Sequence, residues 1–436
     1  MPAPRLDPVR RCLRELGDPQ KAAPMVHVTG TNGKTSTTRL IEAVLRGHGV
    51  RTGMFTSPHL VDVSERICVD AVPVSDDILE TVWISVAGVV KAKDARLADA
   101  GDPRLTFFEV LVVLAFAVFK HLRVQALVVE VGLGGEWDAT NAADGDVAVF
   151  TPVDIDHSPL LGSTVAEIAR TKAGIIKTGA LVVSAAQVVE ASREIERAAA
   201  SKGARFAVEG TDFEVLAREL GTAEQIVALR TAAGRLCRVE VALGGAYQAQ
   251  NIGVAISAAE GLLASGAVMS ESRQSLEFDE NAVRSGLATV TNPGRFETVL
   301  TDPTVIIDAA HNPHGIAATI DAVRQIAGSC TPVVLLAVLR DKDCRAMVAR
   351  LAQVAETFVI TQTSSIRSMS CRELGGLVRW VAPDARIVVV PDPAEAVDRA
   401  RDLAGSDGLV LATGTVTLMS SVRATRNDDS AGRCQR

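Results

Sequence analysis

The 436-residue chain has no run of about eighteen consecutive apolar residues, the length a membrane-spanning helix needs. The nearest approach, Val110 to Phe119, follows Glu109 and stops at Lys120, and so reads as a buried core helix. Basic charge is not in excess either: 45 Lys and Arg stand against 52 Asp and Glu, a net charge of −7. That balance argues against a nucleic-acid surface as the main business of the protein. The seven cysteines, at positions 12, 68, 237, 330, 344, 371 and 434, form no Cys-x-x-Cys pair and no Cys/His ligand spacing. An odd, dispersed set excludes a disulfide framework and suits reduced thiols in the cytosol. The opening "MPAPRLDPVRRCLREL" lacks the apolar core of a signal peptide, so a cytoplasmic location is expected. One more absence is local. The stretch "VHVTGTNGKTSTT" contains Gly-Lys-Thr, yet the glycine that the common phosphate loop carries five positions before Gly33 is replaced by Val28.

What stands there still favours a phosphate site. Met25 to Val28 is a short apolar run of buried-strand type. Thr31, Asn32 and Gly33 make a turn, and Thr37 to Leu45 reads as a helix with Leu40, Ile41, Val44 and Leu45 on one face. Strand, turn and helix N-terminus aim backbone N–H groups at one point, and the helix dipole adds positive potential. Lys34 offers a cation for the outer phosphates, and Thr35 or Ser36 a hydroxyl near a metal. A plain strand–turn–helix connection would leave a lysine and four hydroxyls without a task.

The length exceeds the ~250–300 residues at which a single core stops growing, so two or more domains are expected. Strand-like runs at 25–28, 126–131, 147–152, 181–184, 304–308, 332–338, 357–361, 386–390 and 408–413 alternate with helical patterns. Such alternation predicts parallel sheets covered by helices, an α/β protein. Residues 205 to 245 read instead as short antiparallel strands on an edge, before a helix at about 249–266. Asn292-Pro293-Gly294 is a strong turn signal. It places a large N-terminal P-loop-type domain with a parallel sheet at 1–290 and a smaller Rossmann-like α/β domain at 291–425. A disordered tail is expected at 426–436.

Two further stretches carry chemistry. In "ALVVEVGLGGEWDATN" an apolar strand ends in Glu130 before a glycine turn. Ligands bind at the C-terminal edge of a parallel sheet, and a carboxylate there suits Mg²⁺, which takes one or two carboxylates plus phosphates and waters. In "TPVDIDHSPLLGSTVAEIARTKAGIIKTG" a strand ends in Asp154-Ile155-Asp156-His157, and a helix then carries Lys172.

With these motifs, the chain resembles the Mur ligase superfamily and, within it, the folylpolyglutamate synthase/dihydrofolate synthase family, over roughly residues 20 to 425. The motifs are "GTNGKTS", "TSPHL" with "ERI", "TFFE", "EVGLGGEWDATN", "DHSPLLG", "KAGII", "YQAQN", "NPGRFE", "DAAHNPHG" and "LRDKD". "DAAHNPHG" together with "TSPHL" separates the folate enzymes from the peptidoglycan ligases. The resemblance implies an amide-forming reaction between a folate-type carboxylate and the amino group of glutamate, with ATP consumed through an acyl phosphate. It implies that Gly30, Thr31, Asn32, Gly33, Lys34, Thr35 and Ser36 hold the phosphates, and that Ser57 and Glu130 ligate a first Mg²⁺. His157 helps hold a second Mg²⁺, and Lys172 matches the lysine that the family carbamylates. Asp308 and His311 contact the nucleoside, Gln248 and Asn251 lie near it, and Arg295 reaches the phosphates. Asp341, Lys342 and Asp343 belong to the glutamate or phosphate end.

For the pterin the resemblance points to Thr106, Phe108 and Asp138. Phe108 gives a flat apolar face and Asp138 an acceptor for ring N–H groups. Departures from the family pattern are Glu136 where Arg or a small residue is usual, Tyr247 for His, Thr415 for Ser, and Thr417 in place of an aromatic. They bear on substrate preference more than on reaction type. The expected activity is therefore an ADP-forming ligase joining glutamate to dihydropteroate and folates, a monomer acting on small molecules. The alternatives are polyglutamylation alone, a Mur-type ligase for another acid, or a nucleotide-driven switch.

Overall fold

The computed structural model describes residues 5–156, 158–220, 225–269, 274–328 and 330–423. They form two compact units. The first runs up to Ala242 and includes Ala249–Thr291; the second comprises Leu243–Gln248 and the chain from Asn292 onward. The expected tail at 426–436 lies outside the described residues.

The first unit is built on an eight-stranded sheet: β1 (Met25–Thr29), β2 (Thr52–Phe55), β3 (Ile67–Val69), β4 (Val72–Pro73), β5 (Ala126–Glu130), β6 (Val147–Phe150), β7 (Leu181–Ser184) and β8 (Arg205–Val208). The spatial order is β4-β3-β2-β5-β1-β6-β7-β8. The pairings along β2-β5-β1-β6-β7-β8 are parallel, and β3 and β4 are added antiparallel at the β2 edge. β1, β5 and β6 are buried at every position, because helices cover both faces. On one face Phe55, Leu127 and Val129 pack with Val112, Phe116 and Phe119 of the helix Phe107–His121. On the other, Phe150 and Val182 pack with Ile175, Ile176 and Ile195. Each such fully buried side chain contributes about 1.5–3 kcal/mol.

"RFAV" at 205–208 is not part of the antiparallel group expected from the sequence. It follows the crossover helix Val189–Ser201 and returns parallel to β7 as β8, the connection that a parallel pair needs. The antiparallel sheet is the remaining three strands, β9 (Glu214–Leu220), β10 (Gln225–Arg230) and β11 (Leu236–Val241). β11 alternates exposed and buried residues along its length, as a strand with one solvated face should.

The second unit has six strands: β12 (Glu297–Thr301), β13 (Thr304–Asp308), β14 (Val333–Leu336), β15 (Thr357–Ile360), β16 (Arg386–Val389) and β17 (Leu409–Thr413). Their order is β12-β13-β17-β14-β15-β16, parallel except for the β12–β13 pair. Ile306, Val334, Leu336, Phe358 and Leu411 form its core with Ile316 and Ile320 of the helix Pro313–Ala327. In both units the strand ends that carry chemistry, Thr29 and Glu130 in one and Asp308 in the other, close C-terminal edges. No helix among the described residues is long and apolar enough to cross a membrane.

Candidate active site

β1 runs straight into the turn 30–33 and then the helix Lys34–Gly47, whose N-cap is Gly33. Gly30 has φ 147°, and a Cβ there would lie 1.9 Å from the Thr151 hydroxyl, so no side chain fits. The turn is stitched to the strand end after β6. Thr31 N donates to the Pro152 carbonyl at 2.9 Å, and the Thr31 hydroxyl bridges the Asp154 carbonyl at 2.9 Å and its N–H at 3.0 Å. Because the Thr31 amide is engaged in this way, the positive end of the site is the first turn of the helix from Lys34. Asn251 approaches the same turn, its Oδ1 accepting from the Thr37 hydroxyl at 3.3 Å.

Glu130 lies beside that first turn because β5 pairs with β1 in register, Val28 against Glu130. Its two carboxylate oxygens accept from the Thr35 hydroxyl at 2.9 and 3.0 Å, and one also accepts from the Ser57 N–H at 3.1 Å. The structure thus gathers Thr35, Ser57 and Glu130 at one point. Ser57 is placed there by its N–H; the Glu130 carboxylate and the Thr35 hydroxyl are hard oxygen donors, a set that fits Mg²⁺ completed by phosphate and water. Among the described residues no three His, Cys, Asp or Glu side chains gather into a metal cage, so an all-protein cage of zinc type does not fit. His157 lies outside the described residues.

Two lysines converge on one carbonyl. Lys34 Nζ donates to Gly30 O at 3.1 Å and to Thr31 O at 3.1 Å, and Lys172 Nζ donates to Gly30 O at 2.7 Å. Lys172, from the helix Val165–Ala173, is buried, with 3% of its surface exposed. Burial pushes its amine well below the usual lysine range, and the neighbouring Lys34 charge pushes it further, against the pull of Asp156.

The segment after β5 bends back over the sheet. Phe108 lies on Gly132, where a Cβ would come within 2.4 Å of the ring, and its ring centroid is 5.9 Å from that of Phe55. Asp138 is buried; it accepts from Leu133 N at 2.8 Å, Thr140 N at 3.0 Å and the Thr140 hydroxyl at 2.5 Å. Burial raises its carboxyl above the ordinary range, and these donors pull it back. The Thr106 hydroxyl caps the helix Phe107–His121, accepting from Glu109 N at 3.2 Å in a reciprocal capping box. Glu136 is exposed and turned toward the helix carrying Lys172, with its N–H on the Thr171 carbonyl.

In the second unit Asp308 ends β13 and is buried. Its oxygens accept from Phe296 N at 2.8 Å, Ala310 N at 2.9 Å, the Thr319 hydroxyl at 2.8 Å and the Tyr247 hydroxyl at 3.4 Å. Burial raises the Asp308 carboxyl, opposed by Thr319 and Arg295, and burial beside Asp308 raises the Tyr247 phenol. His311 places Nδ1 2.9 Å from the Ala309 carbonyl, which puts its proton on Nδ1 and makes Nε2 the acceptor of the neutral ring. Arg295 donates to the Gly294 carbonyl at 3.3 Å. Gln248 belongs to this unit and Asn251, one turn later on the same helix, to the other.

Sequence reasoning missed the residues that hold these groups. Thr151 and Thr319 had no periodic signal, Asp154 was read only as part of a strand end, and Tyr247 was noted only as a departure. A buried strand histidine, His27, was passed over although a polar residue inside "MVHVT" was a visible oddity.

A family model described as the Mur ligase glutamate ligase domain matches residues 294–416. The dihydrofolate synthase/folylpolyglutamate synthase of Mycobacterium tuberculosis is 34% identical over 449 residues, covering 97% of this chain and 91% of the relative. Crystal structures of the M. tuberculosis folylpolyglutamate synthase complexed with ADP and AMPPCP match at a TM-score of 0.89 and 34% identity, over 97% of this chain and 95% of that one. An Escherichia coli structure in complex with DHPP and ADP matches at 0.83 and 28% identity, over 98% and 94% of the two chains. With the glutamate-ligase domain matched, and with this identity over nearly its whole length, the protein belongs to the folylpolyglutamate synthase/dihydrofolate synthase family of ATP-dependent glutamate ligases.

Proposed function

We propose that this glutamate ligase uses both dihydropteroate and reduced folates, through an acyl phosphate, with the residues of the first unit holding phosphates and acid. A carboxylate is a poor electrophile. Transfer of the γ-phosphoryl group makes it a mixed anhydride, and the glutamate nitrogen then displaces inorganic phosphate to form the amide. Catalysis therefore consists mainly of positioning and charge neutralisation. Lys34 neutralises the outer phosphates, and the first turn of its helix orients them. Glu130, Thr35 and Ser57 would hold Mg²⁺, which when bound supplies further neutralisation of the phosphate oxygens.

The reading of Lys172 follows from its burial. Carbamylation needs a neutral amine, which attacks carbon dioxide and releases a proton to leave an N-carboxylate. Desolvation and Lys34 favour that neutral amine, and the product anion would sit beside Lys34 as a counter-charge. In the second unit, Asp308 holds the turn at Arg295 and the start of the helix that follows His311. Arg295, His311 and Gln248 are assigned to the nucleotide, as is Asn251 in the first unit.

The observation that carries the two-acid reading is the loop after Glu130. The same segment that begins at the proposed metal ligand brings Gly132 against the Phe108 ring and carries Asp138 a few residues on. The test is ATP-dependent glutamate incorporation into dihydropteroate and into a reduced folate separately, with Asp138→Ala alongside. Use of both acids by the wild type, and loss of dihydropteroate first in the variant, is the expected result. If dihydropteroate is never used, the protein only extends polyglutamate chains.

A further inference from the structure

Two side chains of β1, Thr29 and His27, lie two residues apart and so share one face of the strand. Both reach the loop after β5: Thr29 donates to the Gly134 carbonyl at 2.7 Å, and His27 Nε2 lies 2.8 Å from the Thr140 hydroxyl. That hydroxyl is in turn 2.5 Å from Asp138 Oδ1. His27 is fully buried, and its Nδ1 has no partner.

The hydrogens of this chain have one consistent order. Asp138 already accepts two backbone N–H groups, from Leu133 and Thr140, which favours the carboxylate. The Thr140 hydroxyl therefore donates to Asp138 and must accept from His27, so the imidazole carries its proton on Nε2. That tautomer leaves only a lone pair at the orphaned Nδ1. The other would bury an unpaired N–H, the rarer and costlier defect.

We infer that His27 is a positioning residue for substrate choice: its Nε2–H, relayed by the Thr140 hydroxyl, holds Asp138 as an oriented carboxylate for the acid substrate. The inference rests on the reading that Asp138 meets the pterin end. Burial holds the imidazole down at about 3, so it stays neutral and the order of donors does not reverse near neutral pH. The cations facing this chain are Lys177, paired with Asp144 at 3.1 Å, on the His27 side and Lys172 on the Asp138 side. Glu136 is the exposed acid of the same loop.

The test uses His27→Val, His27→Gln and Thr140→Val in the full chain, with Asp138→Asn as reference. Glutamine keeps a donor near the Nε2 position; valine does not. His27→Val and Thr140→Val should each raise KM for dihydropteroate about tenfold, as for one lost charge-assisted hydrogen bond, while KM for ATP stays unchanged. Loss of donation raises the Asp138 carboxyl further, so the acid limb of kcat/KM for dihydropteroate should move to higher pH. His27→Gln should restore both. Wild-type KM and acid limb in His27→Val, with Asp138→Asn impaired, overturn this inference alone. An equal rise in KM for ATP, or a lowered melting temperature without an acid-limb shift, reduces His27 to a packing residue. Wild-type KM in Asp138→Asn removes the pterin reading and this inference with it.

Discussion

Replacing Lys172 by methionine should separate activity from stability. Both lysine nitrogens lie within 3.1 Å of the Gly30 carbonyl oxygen, so they are at most about 6 Å apart. Two unit charges at that distance, in an effective dielectric near 20, interact by about 3 kcal/mol. For two ammonium groups this is repulsion, which with burial pushes the Lys172 amine down and favours its neutral form. For an N-carboxylate facing Lys34 it is an attraction of the same size. Methionine removes this counter-charge, and at ~1.4 kcal/mol per tenfold the expected loss of turnover is on the order of a hundredfold. The stability side is small. One amine–carbonyl hydrogen bond contributes about 1 kcal/mol, Gly30 O retains Lys34, and methionine suits the buried site better than an amine does. ADP release under saturating substrates, paired with urea unfolding, measures both terms. Added formate or acetate should restore part of the activity, and intact mass under gentle conditions should show the added carboxyl on the wild type. Turnover within threefold of wild type in the methionine variant, with an unmodified lysine in the wild type, would refute the reasoning.

Lys34→Ala and Glu130→Ala should each lower turnover at least a hundredfold, from about 3 kcal/mol of lost charge neutralisation, with circular dichroism unchanged; near-normal ADP release in both would remove the phosphate and metal assignments. Thr319→Val should destabilise the second unit by about 1–3 kcal/mol near pH 7 in urea unfolding, since it strips a donor from the buried Asp308 carboxylate. Burial holds that carboxyl above its unfolded value, so its ionisation opposes folding, and stability is lost as pH rises through the gap. The cost of the substitution should therefore shrink toward acid pH, and a pH-independent difference would contradict the assignment. Gly30→Ala should be destabilised and lose nucleotide affinity together, because a Cβ there meets Thr151; wild-type ADP binding by calorimetry would speak against it.

Much of this was legible from the chain itself, for physical reasons. Central parallel strands such as "ALVVE" are buried on both faces and read as unbroken apolar runs, so an acid at the end of one stands out. β2 was harder. It is four residues long and contains Gly53, a poor strand former, present because a Cβ there would lie 2.7 Å from the Phe119 ring. The helix Asp76–Asp99 escaped notice because its buried stripe, Val82, Val86, Val90, Lys93 and Leu97, is not its only apolar side: Trp83 and Ile84 are apolar and exposed, so no single face stands out. The networks were least visible of all. His27 and Thr140 are 113 residues apart and Tyr247 and Asp308 are 61 apart, and only the folded chain brings each pair within reach. Reading 205–208 as antiparallel failed because four residues, "RFAV", carry no record of strand direction.

On the proposed phosphate role of residues 30–33, the stitching of that turn to Pro152 and Asp154 has a consequence for affinity. Fixing one backbone residue takes roughly 1–2 kcal/mol of conformational entropy. Had residues 30–33 been a slack loop, a triphosphate would have had to order all four on arrival, a handicap of about 4–8 kcal/mol, or some three to six orders of magnitude in dissociation constant. In this chain that ordering is completed when the strand end after β6 folds. Substitutions that loosen Thr31 or the Thr151–Asp154 segment should therefore weaken nucleotide binding without touching a single phosphate oxygen.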